Sequence, residues 1–216
     1  MADKRVLLVL GGIYHDFEGF AAWAKPLLAE NGYLLEATYD LDLLTRLDDS
    51  DYDLVMIYTS LSTHREGQPD TSPEYFTQEQ MVALTKWVQA GGKLLPVHSA
   101  SVAGRENPEQ KRLMGGVFIE HPPQHSFMVY PLLPEHPITV GVGAFSVMDE
   151  FYIQDYEPPF DVHMVAIDRG KAYPMVWTKA EGEGRVAYIA MGHDQGVWDL
   201  APYGKLMIQA LDWLTN

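Results

Sequence analysis

Three continuous apolar runs, "RVLLVLGG", "YDLVMIYTS" and "KLLPV", constrain this chain most, because segments with helical spacing separate them. A strand that is apolar at every position needs cover on both faces, and a β-α-β alternation supplies that cover from helices. The first helix reads as "FEGFAAWAKPLLAENGY", stopping at Asn31-Gly32, with Pro26 predicting a kink or a break inside it. "YLLEATYD" then reads as a strand. Thr77 and Gln80 have capping-box spacing and lead into "MVALTKWVQAGG", a helix closed by glycines. The expected class is α/β, a mostly parallel sheet flanked by helices.

Beyond Gly115-Gly116 the texture changes to prolines, aromatics and short β-like runs: "HSFMVYPL", "FSVMDEFYIQDY", "DVHMVAIDRG" and "PMVWTKAEGEGRVAYIAMG". These predict additional antiparallel strands in the C-terminal half. The closing "YGKLMIQALDWLTN" is an amphipathic helix expected to pack back on the first half, so the chain reads as one domain over residues 1–216. The apolar runs are too short to span a bilayer, and "MADKRVLLVL" has no signal-peptide core, so a soluble, cytoplasmic protein is expected.

The chain has no cysteine, which removes disulfides, thiolate metal sites and thiol nucleophiles together. Any covalent or metal chemistry must use Ser, His, Asp or Glu. Thirty acidic against fifteen basic residues give a formal charge of −15, which repels phosphate backbones and anionic lipid surfaces and equally serves solubility. Nucleic acid and membranes are therefore not expected partners.

In an open parallel sheet, ligands bind beyond the carboxyl ends of the strands, and histidines gather there. "GGIYHDF" carries His15 and Asp16, "LLPVHSAS" ends its strand at His98, and "RVAYIAMGHD" ends at His193 and Asp194. His64, His136 and His163 read as surface or satisfied core residues. A tight turn at His98-Ser99 would present one side chain at a helix start, a position suited to chemistry or anion binding. With histidine there, proton transfer or metal ligation is more natural than nucleophilic attack. Ser99 is a rival nucleophile, but its surroundings are not G-x-S-x-G. In "MDEFYIQDY", read as a strand, Glu150 and Tyr152 share a face, while Asp149 and Asp155 read as solvated. Pro122-Pro123 keeps His121 and His125 from sharing a helical metal-binding face, so "EHPPQHSF" reads as a rigid loop over a pocket. Trp198, just after "GHDQGV", is expected to face a ligand.

Taken in order, "GGIYHDF", "LLPVHSAS", "GGVFIEHP", "EHPIT", "DEFY" and "RVAYIAMGHDQGVW" resemble the ThuA-like (trehalose utilisation) family, over nearly the whole chain. That family belongs to the class I glutamine amidotransferase-like superfamily, so the resemblance implies a flavodoxin-like fold. It also implies that His98 stands where amidotransferases carry their cysteine and that His193 matches their later histidine. Glutamine hydrolysis through a thioester is then not expected. The family-like pocket would hold His15, His98, Glu150, His193 and Asp194, with Trp198 nearby. The implied role is carbohydrate processing, on keto-sugars made by a partner oxidoreductase.

Three functional expectations follow. The first is acid/base chemistry beside a sugar carbonyl, with His98 and His193 as acid and base and Glu150 orienting one of them. Substrate would then meet His15, Asp16, Ser99, His121, Tyr152, Asp194 and Trp198. The second uses His15, His98, His193 and Glu150 as ligands of a divalent metal, zinc or manganese. The third is a non-catalytic sugar-binding or assembly module, and a homo-oligomer fits any of them.

Overall fold

The protein is described here by a computed structural model covering residues 3–68 and 71–216. Its N-terminal half runs β1 (Lys4–Gly12), α1 (Phe17–Ala29), β2 (Tyr33–Thr38), a 3-10 segment (Leu41–Asp49), β3 (Leu54–Ser60), α2 (Gln78–Gln89) and β4 (Lys93–Pro96). A short turn (His98–Ser101) leads to α3 (Pro108–Met114). The remainder runs β5 (Gly116–Glu120), β6 (His125–Pro131), β7 (Phe145–Asp149), β8 (Ile153–Tyr156), β9 (Asp161–Asp168), β10 (Lys171–Glu181), β11 (Gly184–Ile189), α4 (Gln195–Trp198) and α5 (Ala201–Thr215).

Nine strands form one sheet in the order β2-β1-β3-β4-β11-β10-β9-β6-β7. β2, β1, β3, β4 and β11 are parallel, and every pair beyond β11 is antiparallel. β11 is the seam: it pairs parallel with β4 and antiparallel with β10. This is the α/β arrangement expected from the alternation of apolar runs, with the antiparallel extension in the C-terminal half, and it matches the flavodoxin-like fold that the resemblance implies.

β3 is buried at all seven positions, so its apolar run does lie between two covered faces. α1, α4 and α5 pack together as one helical group, and α2 packs with α3 and the 3-10 segment as another. α5 returns to β4 and β11, as its amphipathic pattern predicts. Thr77 and Gln80 close the capping box that starts α2, each side chain accepting from the other's backbone N–H.

Two expectations need correction. Pro26 does not break α1, which continues to Ala29. Pro26 and Ala22 both lie on the exposed face of the helix, while Phe20, Ala24 and Leu28 hold the opposite face against the core. "FSVMDEFYIQDY" is not one strand either. β7 ends at Asp149 in the large sheet, β8 begins at Ile153 in a separate two-stranded ribbon with β5, and residues 150–152 cross between them. Glu150 and Tyr152 therefore lie on a connection.

Candidate functional site

The carboxyl ends of β1, β3, β4 and β11 open onto a cavity of about 740 Å³. β1 delivers His15 through a tight turn. Gly12 has φ +103°, and a Cβ there would fall 2.1 Å from the Ser60 carbonyl oxygen, so only glycine permits the crossing. Tyr14 follows in the left-handed region at φ +73°, and His15 Nδ1 then meets the Ile13 carbonyl at 3.3 Å.

β4 delivers His98. Val97 still bridges β11 at Ile189, and the chain then turns abruptly, with His98 itself at φ +45°. A left-handed histidine costs about 1–2 kcal/mol, and such strain concentrates at functional sites. The turn is held from behind. Tyr188 donates to the His98 carbonyl and to Ser101 Oγ, and His98 Nδ1 lies 2.8 Å from the Ala190 carbonyl.

β11 delivers His193 on a segment fixed by four side chains. Tyr58 donates to the carbonyls of Gly192 and His193, Trp198 Nε1 to Gly192, and Tyr203 to Met191. The Asp149 carboxylate accepts from Gly192 N at 2.8 Å and from His193 N at 3.2 Å.

These elements bring His15, His98, His193 and Glu150 together, with one nitrogen or oxygen of each lying within 4.8 Å of the others. Glu150 Oε2 is 3.4 Å from His98 Nε2 and 3.2 Å from His193 Nδ1, while Oε1 is 3.5 Å from His121 Nε2. The His15 and His98 rings turn their Nδ1 edges to backbone carbonyls, which assigns the proton to Nδ1 and leaves each Nε2 lone pair facing inward. His15 Nε2, His98 Nε2 and His193 Nδ1 are all buried without an aligned hydrogen-bond partner. Lone pairs converging on a carboxylate repel one another unless a cation stands among them.

Burial, followed by the charges of His98 and His193, drives His15 well below the ordinary histidine range. For Glu150, burial opposes ionisation, but the imidazoles of His193 and His98 outweigh it and hold the carboxyl well below the usual carboxylate range. Burial also opposes the charge on His193, yet Glu150 raises it above the ordinary value. Burial pushes Asp149 up, against His98 and three backbone N–H groups that favour its charge.

The other residues singled out in the sequence divide into two groups. His121 and Tyr152 line the cavity, as does His64, read above as a surface or core residue. Tyr152 stacks on His98 with ring centroids 4.2 Å apart. His98 is itself 0% exposed and does not line the cavity, so direct proton exchange with a substrate is not its geometry. Ser99 is likewise fully buried behind the turn.

Trp198 is 2% exposed and does not line the cavity; its ring packs on Phe20 and its N–H donates to the Gly192 carbonyl. Asp16 and Asp194 cap α1 and α4, accepting from Gly19 N and Gly196 N, and neither lines the cavity. Asp155 is solvated as expected and pairs with Lys111. Asp149 is the opposite of its expectation. It is fully buried, and its only sequence signal is a carboxylate ending a strand just before Glu150.

Similar proteins agree with the fold. A ThuA-like protein from Bacteroides uniformis superposes with a TM-score of 0.75 at 19% identity, covering 99% of this chain and 92% of that one. One from Parabacteroides merdae gives 0.79 at 17% identity, covering 99% and 90%. A beta-galactosidase from Bacillus circulans sp. alkalophilus gives 0.58 at 14% identity, but this chain, though 99% covered, spans only 30% of that enzyme. At such identities the likeness is one of fold. The comparison with curated proteins gives no match. A family model described as "Trehalose utilisation" matches residues 5–214, nearly the whole chain, and the protein therefore belongs to the ThuA family.

Proposed function

We propose that this protein is a sugar-processing enzyme assisted by a divalent cation, acting at or beside a carbonyl of a disaccharide or keto-sugar. The observation that carries this reading is the convergence of three imidazole nitrogens and the Glu150 carboxylate within 4.8 Å. Two of those imidazoles are fixed with their lone pairs inward. Tetrahedral zinc with bonds of about 2.0–2.2 Å sets its ligands roughly 3.3–3.5 Å apart. The Glu150 contacts of 3.2 and 3.4 Å to His193 and His98 fit that spacing.

A bound divalent cation would polarise a carbonyl or acetal oxygen and favour hydrolysis, isomerisation or elimination next to it. The chain's own residues supply the rest. His15, His98, His193 and Glu150 form the ligand set. Tyr14, Phe118 and Tyr152 offer aromatic walls for the apolar face of a sugar ring, and Ser60, Ser62 and Glu66 offer polar contacts. His121 stands beside Glu150 on the cavity side and is suited to carry a proton between substrate and carboxylate. The family's association with trehalose utilisation supports a sugar substrate, and a partner oxidoreductase would supply the keto-sugar.

A second reading, metal-free acid/base catalysis, is favoured by the raised His193 beside the ionised Glu150. Elemental analysis of untagged protein, followed by product detection on a panel of 3-keto-disaccharides with and without chelator, separates the two. One divalent ion per chain and turnover abolished by chelator are expected. Turnover by metal-free protein would replace the cation with acid/base chemistry, and tight sugar binding without product would make the protein a binding module.

A further inference from the structure

Asp149 has no part in the ligand set, yet it touches the backbone of two of its members. A single oxygen, Oδ1, accepts the Glu150 N–H at 2.8 Å and the His193 N–H at 3.2 Å. Its second oxygen accepts the Gly192 N–H at 2.8 Å. The end of β7 is thereby tied to the segment following β11, although three strands lie between β11 and β7 in the sheet order. Gly192 permits the close approach, with φ +134° and a Cβ position only 2.5 Å from the Tyr203 hydroxyl. A fully buried carboxylate carries a desolvation cost that neutral core residues avoid, so a purely packing role would not call for one.

We infer that Asp149 is the positioning residue of the cation site: through its three backbone N–H contacts it fixes the spacing between Glu150 and His193. This rests on the cation reading above. Groups that orient metal ligands from behind typically contribute about 10–100-fold in metal affinity.

The test uses full-length protein freed of metal with chelator. Zn2+ is titrated against a chromophoric chelator, and Co2+ is followed by its visible absorption bands. Asp149→Asn keeps the shape but loses at least one of the three N–H contacts. It should bind Zn2+ about 10–100-fold more weakly and alter the Co2+ bands. Asp149→Ser takes its place if the Asn variant does not fold. Val147→Ala, in the same strand and equally buried, is the control. It should lower the melting temperature while leaving Zn2+ affinity and Co2+ bands unchanged.

Wild-type affinity and bands in the Asp149 variants would overturn the inference. So would an equal loss in Val147→Ala, because stability alone would then explain it. A wild-type protein that takes up neither ion would overturn the cation reading itself, a result distinct from uptake that ignores Asp149.

Discussion

At the residue scale, the informative feature is a histidine in a backbone conformation that most side chains avoid. His98 at φ +45° is held there by Tyr188 on its carbonyl and by Ala190 on its ring. Asparagine tolerates the left-handed region better than most residues and keeps an amide donor, but it removes the imidazole. His98→Asn should therefore retain a melting temperature near that of the wild type while losing the divalent ion, a split that calorimetry and elemental analysis together would detect. A collapse of the melting temperature would instead make His98 chiefly a packing residue. The position was legible in the sequence because "LLPV" is a buried strand that ends at His98. Its burial was not, because covering it takes Tyr152, which arrives from the β7–β8 connection.

At the element scale, local signals and long-range packing separate cleanly. The capping box of α2 depends on four consecutive residues, Thr77 to Gln80, and the structure closes it as the spacing predicts. Removing the cap hydroxyl frees a helix-start N–H, so Thr77→Ala should cost about 1 kcal/mol, read as a lower urea midpoint at unchanged slope. Gln80 adds a contact that the box alone does not predict, its Nε2 donating to Asp42 on the neighbouring 3-10 segment at 2.8 Å. The division of "FSVMDEFYIQDY" between two sheets had no such local signal. Alternation within the run fits either sheet, and only the pairing partners, β6 for β7 and β5 for β8, decide where it breaks.

At the scale of the whole molecule, buried histidines away from the site make stability depend on pH. His163 is 1% exposed, stacked on His136 and bonded through Nε2 to Thr178. Burial, then the charge of His136, pushes it down to about 4 from an ordinary 6.5. Between those values the unfolded chain binds a proton that the folded chain refuses. Stability is therefore complete above about 6.5 and falls as pH drops toward 4, by about 3 kcal/mol over the full window. About 2 kcal/mol of this should be gone at pH 5. His15 adds to the same trend. Urea midpoints at pH 7 and pH 5 should therefore differ more in the wild type than in His163→Gln; equal pH sensitivity in both would reject the assignment.

By itself the sequence determined the element types, the parallel core with its antiparallel extension, and three strand-end histidines, because each is written in local periodicity and in where apolar runs stop. It also excluded thiol chemistry outright. Only the tertiary structure decided which strand-end groups meet. Asp16 and Asp194 sit one residue from His15 and His193, yet they turn away to cap helices, and Trp198 turns into the core. Asp149 turns inward to hold Glu150 and His193 together. The physical reason is that a side chain's direction at a strand end is set by the turn that follows and by the donors waiting there. For Asp16 and Asp194 those donors are the nearby Gly19 and Gly196, whereas for Asp149 they include Gly192 and His193, more than forty residues along the chain.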